Sequence, residues 1–391
     1  MATPHPEEES FADGAAGTNV YEAPKPLKKQ FEAWHRPRKQ FVRDKQWREQ
    51  IERLLSDIGE QNYLLRYLGL PGTDLLDLRH FHAAVCQPKS HRLKFLGFNR
   101  AADPRSDAQG EMDISLDEVR KLEFVDPLSD IVPDDFRRIA ADGSIAWQRT
   151  REFGPCDVIN IDLCDGFTVD PPGAMEDTLY NAMNRVVTMQ VGNTRPWLLF
   201  LTTRVGPQHI HGDALSRLTA KFSQNLNGCP AFLAASRDHF SIEDDAAINA
   251  ACQSQKGMLD VCVTAVCKWF LGLVVGASPA WSVELKSAVG YQVDGHLDAE
   301  DLISLALRFT PSGQSLPDPM GLAAQPGNAP DECALAAAMA ARVARRKNAD
   351  TILAEDAALA AEMESASCTL LEQSRYDGQE YRIWLAGLSS A

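Results

Sequence analysis

Two aspartates follow an apolar run near the middle of the chain. The run Val158–Ile161 leads directly into Asp162-Leu-Cys-Asp165-Gly-Phe. A buried parallel strand reads as a short continuous apolar segment, and its carboxyl end delivers polar groups to a ligand crevice. Carboxylates at such a position can orient an acceptor and hold its proton. We therefore take Asp162 and Asp165 as candidate catalytic residues; the alternative is that both cap the following helix.

Four histidines could supply a second kind of chemistry. His80 and His82 follow the segment Asp74–Arg79, and His209 and His211 follow Trp197–Thr202. If these two segments are neighbouring strands, the imidazoles converge with the aspartates at one edge of a sheet. Imidazole and carboxylate groups together suit a divalent transition metal. The alternative is that each histidine forms hydrogen bonds at a helix end.

A basic segment with interleaved aromatic residues lies near the start of the chain. Residues 25–53 carry ten Lys and Arg residues, and Phe31, Trp34, Phe41 and Trp47 lie between them. Cations neutralise phosphates while aromatic rings stack on bases, so the segment predicts a nucleic-acid contact. The alternative is a solvated helix face anchored by the tryptophans. The candidate nucleic-acid-binding residues are Trp34, Arg36, Arg38, Lys39 and Arg43.

Composition limits the class of protein. The 391 residues carry a net charge of −15, which argues against coating of nucleic acid or acidic membrane by the whole surface. We find no apolar run close to the ~18–20 residues that span a bilayer and no secretory signal, so we expect no membrane partner. The nine cysteines form no Cys-x-x-Cys pair. We expect reduced thiols and a cytoplasmic protein.

Strand-like and helix-like segments alternate along the chain. This order predicts an α/β fold: a doubly wound, mostly parallel sheet with a C-terminal antiparallel hairpin, plus helical N- and C-terminal appendages. A helix is expected over Trp47–Leu68 and another, Ala-rich, over Glu332–Ser365. The predicted strands are Asp74–Arg79, Leu93–Phe98, Ser129–Phe136, Val158–Leu163, Trp197–Thr202, Trp281–Val293 and Leu302–Phe309.

The same patterns predict five regions. They are a disordered tail over 1–24, a basic aromatic arm and helix over 25–63, an α/β domain over 64–311 with a helical insertion at about 230–277, a linker over 312–331, and an Ala-rich helical region over 332–391.

The order of elements resembles class I S-adenosylmethionine-dependent methyltransferases, whose seven-stranded sheet ends in such a hairpin. The resemblance covers roughly 64–311 and implies cofactor contacts by Asp77, Arg79, Asn99 and Asp135. It also implies a catalytic role for Cys164, which lies one position earlier than the cysteine in the Asp-x-Pro-Cys motif of RNA cytosine enzymes and lacks the preceding proline. The Gly-rich turn after the first predicted strand is missing, since Gly69 and Gly72 precede that strand.

Three functions follow from these patterns. The first is a methyltransferase that uses S-adenosylmethionine on nucleic acid or another macromolecule. The second is a methyltransferase-like subunit that has lost the cofactor, favoured by the missing glycines, and works beside a partner protein or on nucleic acid. The third is a metal-dependent hydrolase built on the His/Asp cluster. Long appendages at both ends favour work inside a larger complex.

Overall fold

One mixed sheet organises the chain. A computed structural model describes residues 29–168, 177–294, 299–312 and 330–388. Its eight-stranded sheet has the order β3-β2-β1-β4-β5-β7-β6-β8. The strands are β1 Leu64–Gly69, β2 Arg92–Phe98, β3 Asp130–Val132, β4 Val158–Gly166, β5 Trp197–Arg204, β6 Trp281–Tyr291, β7 Leu302–Pro311 and β8 Lys347–Asn348.

The strand directions confirm the predicted fold class. Strands β3, β2, β1, β4 and β5 are parallel, and β7 runs antiparallel to both β5 and β6. The chain leaves β1 toward β2 on one side and later enters β4 on the other side. This reversal places a topological switch point between β1 and β4, and ligands of such sheets bind there.

Helices cover both faces of the sheet. Apolar residues on one face pack against α6, α7, α10 and α11, and those on the other pack against α2, α3 and α4. The helices are α1 Pro37–Val42, α2 Glu49–Ile58, α3 Leu76–Phe81, α4 Gln109–Arg120, α5 Ile145–Phe153, α6 Leu179–Gln190, α7 Gly212–Gly228, α8 Pro230–Phe240, α9 Asp245–Ala251, α10 Gln255–Val274, α11 Glu332–Ala344, α12 Ala349–Glu355, α13 Ala357–Glu372 and α14 Gly378–Leu388.

The first strand is the main correction to the sequence analysis. The predicted strand Asp74–Arg79 is instead the start of α3, and β1 lies ten residues earlier. The helix predicted over Trp47–Leu68 accordingly ends at Ile58, where Gly59 adopts a left-handed conformation (φ 70°) and closes the helix. Leu and Arg form helices readily, so the apolar alternation over these six residues did not decide the element type.

Two other helical predictions need correction. The Ala-rich helix expected over Glu332–Ser365 is interrupted, because Lys347 and Asn348 pair with β6 as the short strand β8. Asn348 then caps α12, and Asp356 caps α13 through the Leu359 N–H. Helix α10 is long and apolar enough to cross a membrane by length and composition, which corrects the expectation that no run approaches this length; 72% of its apolar window is buried inside the fold.

The cysteines also differ from expectation. Cys229 and Cys333 form a disulfide that joins α8 to α11, which the expectation of reduced thiols did not foresee. The other six cysteines with described side chains are free and buried. The predicted tail 1–24 and most of the predicted linker 312–331 lie outside the described residues, so those boundaries stay predictions.

Candidate functional site

A crevice of about 960 Å³ opens at the carboxyl edge of the parallel strands. Residues that follow β1, β2, β3 and β4 line it, together with Arg204 at the end of β5. Its volume lies at the upper end of the ~300–1,000 Å³ that is usual for small-molecule sites. The strand tips therefore share one rim, as expected from the predicted sheet.

The loop after β1 contains the glycines that the sequence analysis placed before the strand. Gly69 ends β1, and Gly72 lines the crevice three residues later. A Cβ on Gly69 would lie 2.8 Å from the Asn160 backbone oxygen, so glycine is needed where β1 and β4 approach each other. A Cβ on Gly72 would meet nothing within 4 Å. Gly72 therefore follows the first strand, whereas the sequence analysis placed it before that strand.

The tips of β2 and β3 contribute a second group of polar residues. The Asn99 side chain donates to the Pro71 carbonyl at 2.8 Å and accepts from the Ala101 N–H at 2.7 Å. Asp135 caps the turn after β3 and pairs with Arg137 at 2.7 Å. Burial alone would raise the pKa of Asp135, but hydrogen bonds from Arg137 outweigh it and the pKa is lowered. Both Asn99 and Asp135 line the crevice, and cofactor binding by these residues stays a prediction.

The tip of β4 brings Asp162 and Asp165 to the crevice in different surroundings. Asp162 pairs with Lys39 at 2.6 Å, and the Lys39 side chain is only 3% exposed. Asp165 accepts a hydrogen bond from His209 Nδ1 at 2.6 Å. Burial would raise the pKa of Asp165, but the hydrogen bonds from His209 and the Gly166 N–H outweigh burial, so the pKa is lowered. Cys164 lies in the same strand, and its side chain is outside the described residues.

Asp77 and Arg79 do not occupy a strand tip. Both are buried in α3, and Asp77 pairs with Arg43 at 2.6 Å. Burial would raise the pKa of Asp77, but the Arg43 and Lys39 cations outweigh it and the pKa is lowered. Arg79 hydrogen-bonds the Asp74 and Gln373 carbonyls. Asp77 and its partner Arg43 both line the crevice. Arg79 instead connects α3 to the end of α13 through the Gln373 carbonyl.

The four histidines do not converge. His82 lies 2.6 Å from the Glu123 carbonyl, and His80 lies 3.3 Å from Gln40. Burial, together with the Arg43 cation, lowers the pKa of His80 to about 4. His209 instead joins Asp165, and His211 precedes α7. Among the residues that the structure describes, no group of three or more His, Cys, Asp or Glu side chains could hold a metal ion, so the predicted His/Asp metal cluster is wrong.

The basic arm packs against the crevice. Lys39 and Arg43 are buried and paired with carboxylates, and Arg38 pairs with Asp350 at 3.1 Å. Arg36 is half-buried, and burial lowers its pKa. Trp34 is 47% exposed and lines the crevice. Nucleic-acid binding by this arm stays a prediction. Trp34 is the aromatic residue of the arm that is best placed to stack on a base, because it is exposed at the crevice.

Sequence reasoning missed the residues that cover the crevice. Lys29 pairs with Asp74 in the β1 loop, and the Tyr376 hydroxyl donates to the same carboxylate at 2.7 Å. Phe31 packs on Tyr376 and stacks on Trp384 at 5.4 Å. Residues 29–31 therefore contact residues 374–384 beside the crevice. No pattern in the sequence signals this contact, because its members lie some 345 residues apart.

Sheet order and crevice together define an α/β fold of the methyltransferase-like type expected from the resemblance. The model of the PP_RS20740-like family matches residues 28–386, and the chain belongs to that family. No curated protein matches the chain.

Three solved structures are among those similar to the chain. The modification subunit of a putative type I restriction enzyme from Vibrio vulnificus is 11% identical with a TM-score of 0.29, and the match covers 68% of this chain and 44% of that one. YjhP from E. coli is 10% identical with a TM-score of 0.26, and the match covers 70% of this chain and 100% of YjhP. Loganic acid methyltransferase, solved with SAH, is 9% identical with a TM-score of 0.28, and the match covers 74% of this chain and 99% of that one. At such TM-scores these likenesses alone assign neither fold nor function.

Proposed function

We propose that the chain binds S-adenosylmethionine in the crevice and transfers its methyl group to an acceptor held at the end of β4. The observation that carries this proposal is the crevice at the switch point between β1 and β4, with the glycine loop of β1 on one side and Asp162 on the other. Ligands of open α/β sheets bind at such a point, where glycine permits close approach of the backbone.

The residues present fit an adenosyl ligand with a methionine tail. Gly72 leaves space at the β1 loop, and polar groups at the tips of β2 and β3 face the same volume. Phe98 and Phe136 line the crevice near these tips and give it apolar surface for a base. When bound, the cofactor supplies a methyl group on a sulfonium. Because Gly72 follows β1, one part of the reason that favoured a cofactor-free subunit is removed.

Asp162 is the residue best placed to hold the acceptor. Lys39 donates a hydrogen bond to Asp162, and the Lys39 ammonium lies 4.5 Å from the centre of the Trp47 ring. These contacts fix the carboxylate in one orientation, and they make its second oxygen available to an acceptor proton. Orientation of this kind supplies much of the catalysis in a direct transfer between two bound molecules. Nucleic acid stays the predicted acceptor, with Trp34 at the rim able to stack on a base.

Calorimetric titration of the full chain with S-adenosylmethionine and S-adenosylhomocysteine tests the cofactor. We expect saturable binding by the unchanged protein and loss of at least about tenfold in affinity for Gly72→Val, since the added methyls enter the open space beside the loop. Gly143→Val is the matched control, because a Cβ there also meets nothing within 4 Å and Gly143 lies away from the crevice. An absence of heat from the unchanged protein at millimolar ligand would reject the proposal.

A further inference from the structure

The end of β2 lacks the group that would normally recognise an unmodified ribose. In nucleoside sites of this sheet type, an acidic residue at this point binds the ribose hydroxyls, whereas a nearby arginine accommodates a phosphate on the ribose. Here the position holds Asn99, whose amide is used on the Pro71 carbonyl and the Ala101 N–H. The next residue is Arg100.

Arg100 forms no side-chain hydrogen bond or ion pair within the part of the chain that the structure describes, although its charge helps to lower the pKa of Asp103 and of Asp135. Its neighbours are paired: Asp135 with Arg137 and Asp103 with Arg105, both at 2.7 Å. The guanidinium of Arg100 therefore leaves local positive charge at the rim. It faces the crevice and also a side cavity of about 380 Å³, which shares Arg100 and Asp134 with the crevice.

We propose that the crevice also binds adenosine nucleotides with a phosphate on the ribose, and that Arg100 binds this phosphate. The planar guanidinium presents paired donors that match a phosphate, and the side cavity gives the group room. Apolar Pro133 and Ile145 form another part of that cavity. This inference rests on the crevice being a nucleoside site, but it goes beyond the proposed function because S-adenosylmethionine has an unphosphorylated ribose.

Titration of the full chain with adenosine, adenosine 2′-phosphate and adenosine 3′-phosphate tests the inference. We expect at least one phosphorylated nucleotide to bind about tenfold more tightly than adenosine, the gain of a charge-assisted pair. Arg100→Gln should reduce this difference to about twofold or less. Arg105→Gln should preserve it, because Arg105 lines the same side cavity but is held by Asp103. Arg100 is exposed, so its replacement leaves the core intact, which a thermal melt checks.

Equal affinity for adenosine and both phosphorylated nucleotides would overturn the inference, as would an unchanged preference in Arg100→Gln. Displacement of the nucleotides by inorganic phosphate alone, at similar concentration, would also overturn it by showing only a general anion site. Competition with S-adenosylhomocysteine separates the two proposals. Binding of S-adenosylhomocysteine without any phosphate preference defeats this inference alone, and phosphate-dependent binding without any S-adenosylhomocysteine binding defeats the methyltransferase proposal alone.

Discussion

Asp162 and Asp165 lie three residues apart at one strand end, but their environments give them different roles. The Asp162 side chain is 20% exposed and forms an ion pair with the buried Lys39, which would lose this anionic partner without it. Asp165 is 59% exposed, and its partner His209 lies at the edge of the site. Removing one member of a buried pair leaves an uncompensated charge, whereas an exposed pair contributes little. Asp162 therefore combines a functional and a structural role.

Replacement of these residues should separate the two roles. Asp162→Asn should lower the free energy of unfolding by about 2–4 kcal/mol, because Lys39 loses its anionic partner. Asp165→Asn should change it by less than about 1 kcal/mol. Denaturant unfolding measures both values. Lys39→Met combined with Asp162→Asn should recover part of the loss, and a double variant less stable than Asp162→Asn would contradict the pairing.

At the scale of elements, the loop between β1 and α3 determines whether the crevice can accept a cofactor. The segment Leu64–Gly69 and the segment Asp74–Arg79 both contain apolar residues at strand-like spacing, and only one can be the first strand. The parallel pairing of β1 with β2 and β4 selects the former. Gly69 then ends the strand and Gly72 lies in the loop that follows it, at the edge of the crevice.

Two glycine substitutions test this arrangement. Gly69→Ala should destabilise the fold by about 1–3 kcal/mol, because its Cβ would lie 2.8 Å from the Asn160 backbone oxygen and 2.8 Å from Tyr67 Cε1. Gly72→Ala, three residues away, should alter stability by less than about 1 kcal/mol, since its Cβ meets open space. Thermal unfolding compares the two, and equal stability would mean that β1 and β4 are not packed as described.

For the whole molecule, the main finding is that distant parts of the chain meet at the crevice. The Tyr381 hydroxyl donates to the His35 carbonyl at 2.8 Å, and the His35 ring packs against Tyr376 at 5.1 Å. Burial and the Arg43 and Lys29 cations, opposed by Asp74, together lower the pKa of His35 to about 4. The neutral imidazole is therefore part of the cover.

Acid should loosen this cover before it unfolds the sheet. An unfolded histidine has a pKa near 6.5, so between about pH 6.5 and 4 the unfolded chain binds a proton that the folded chain does not. The free energy of unfolding should fall as the pH falls through this window, by up to about 3 kcal/mol from His35. Limited proteolysis near the chain ends and denaturant unfolding across the window measure the effect.

The variant His35→Gln provides the comparison for this pH dependence. Its side-chain oxygen can still accept the Glu32 N–H that His35 Nδ1 accepts at 3.0 Å, but it does not titrate. The dependence of stability on pH should become shallower in this variant, with the remaining slope owed in part to the buried His80, whose pKa is also lowered to about 4. An identical slope in both proteins would show that His35 is not buried in the neutral form.

The sequence alone determined the fold class, most strands from β2 to β7, and the two aspartates at the end of β4. These follow from local signals: continuous apolar runs, alternating elements, and polar residues where the runs stop. It did not determine the first strand, because short apolar segments before and after Gly69 fit the same pattern. The choice depended on which segment pairs with β2 and β4 across the sheet.

Only the tertiary structure decided how the crevice is closed and charged. Lys39 and Arg43 looked like free cations in a basic arm, but their partners Asp162 and Asp77 are more than thirty residues away. Charge pairing of this kind depends on distances in space, and a list of charges along the chain does not contain them. The cover built by Lys29 and Tyr376 over Asp74 arises for the same reason.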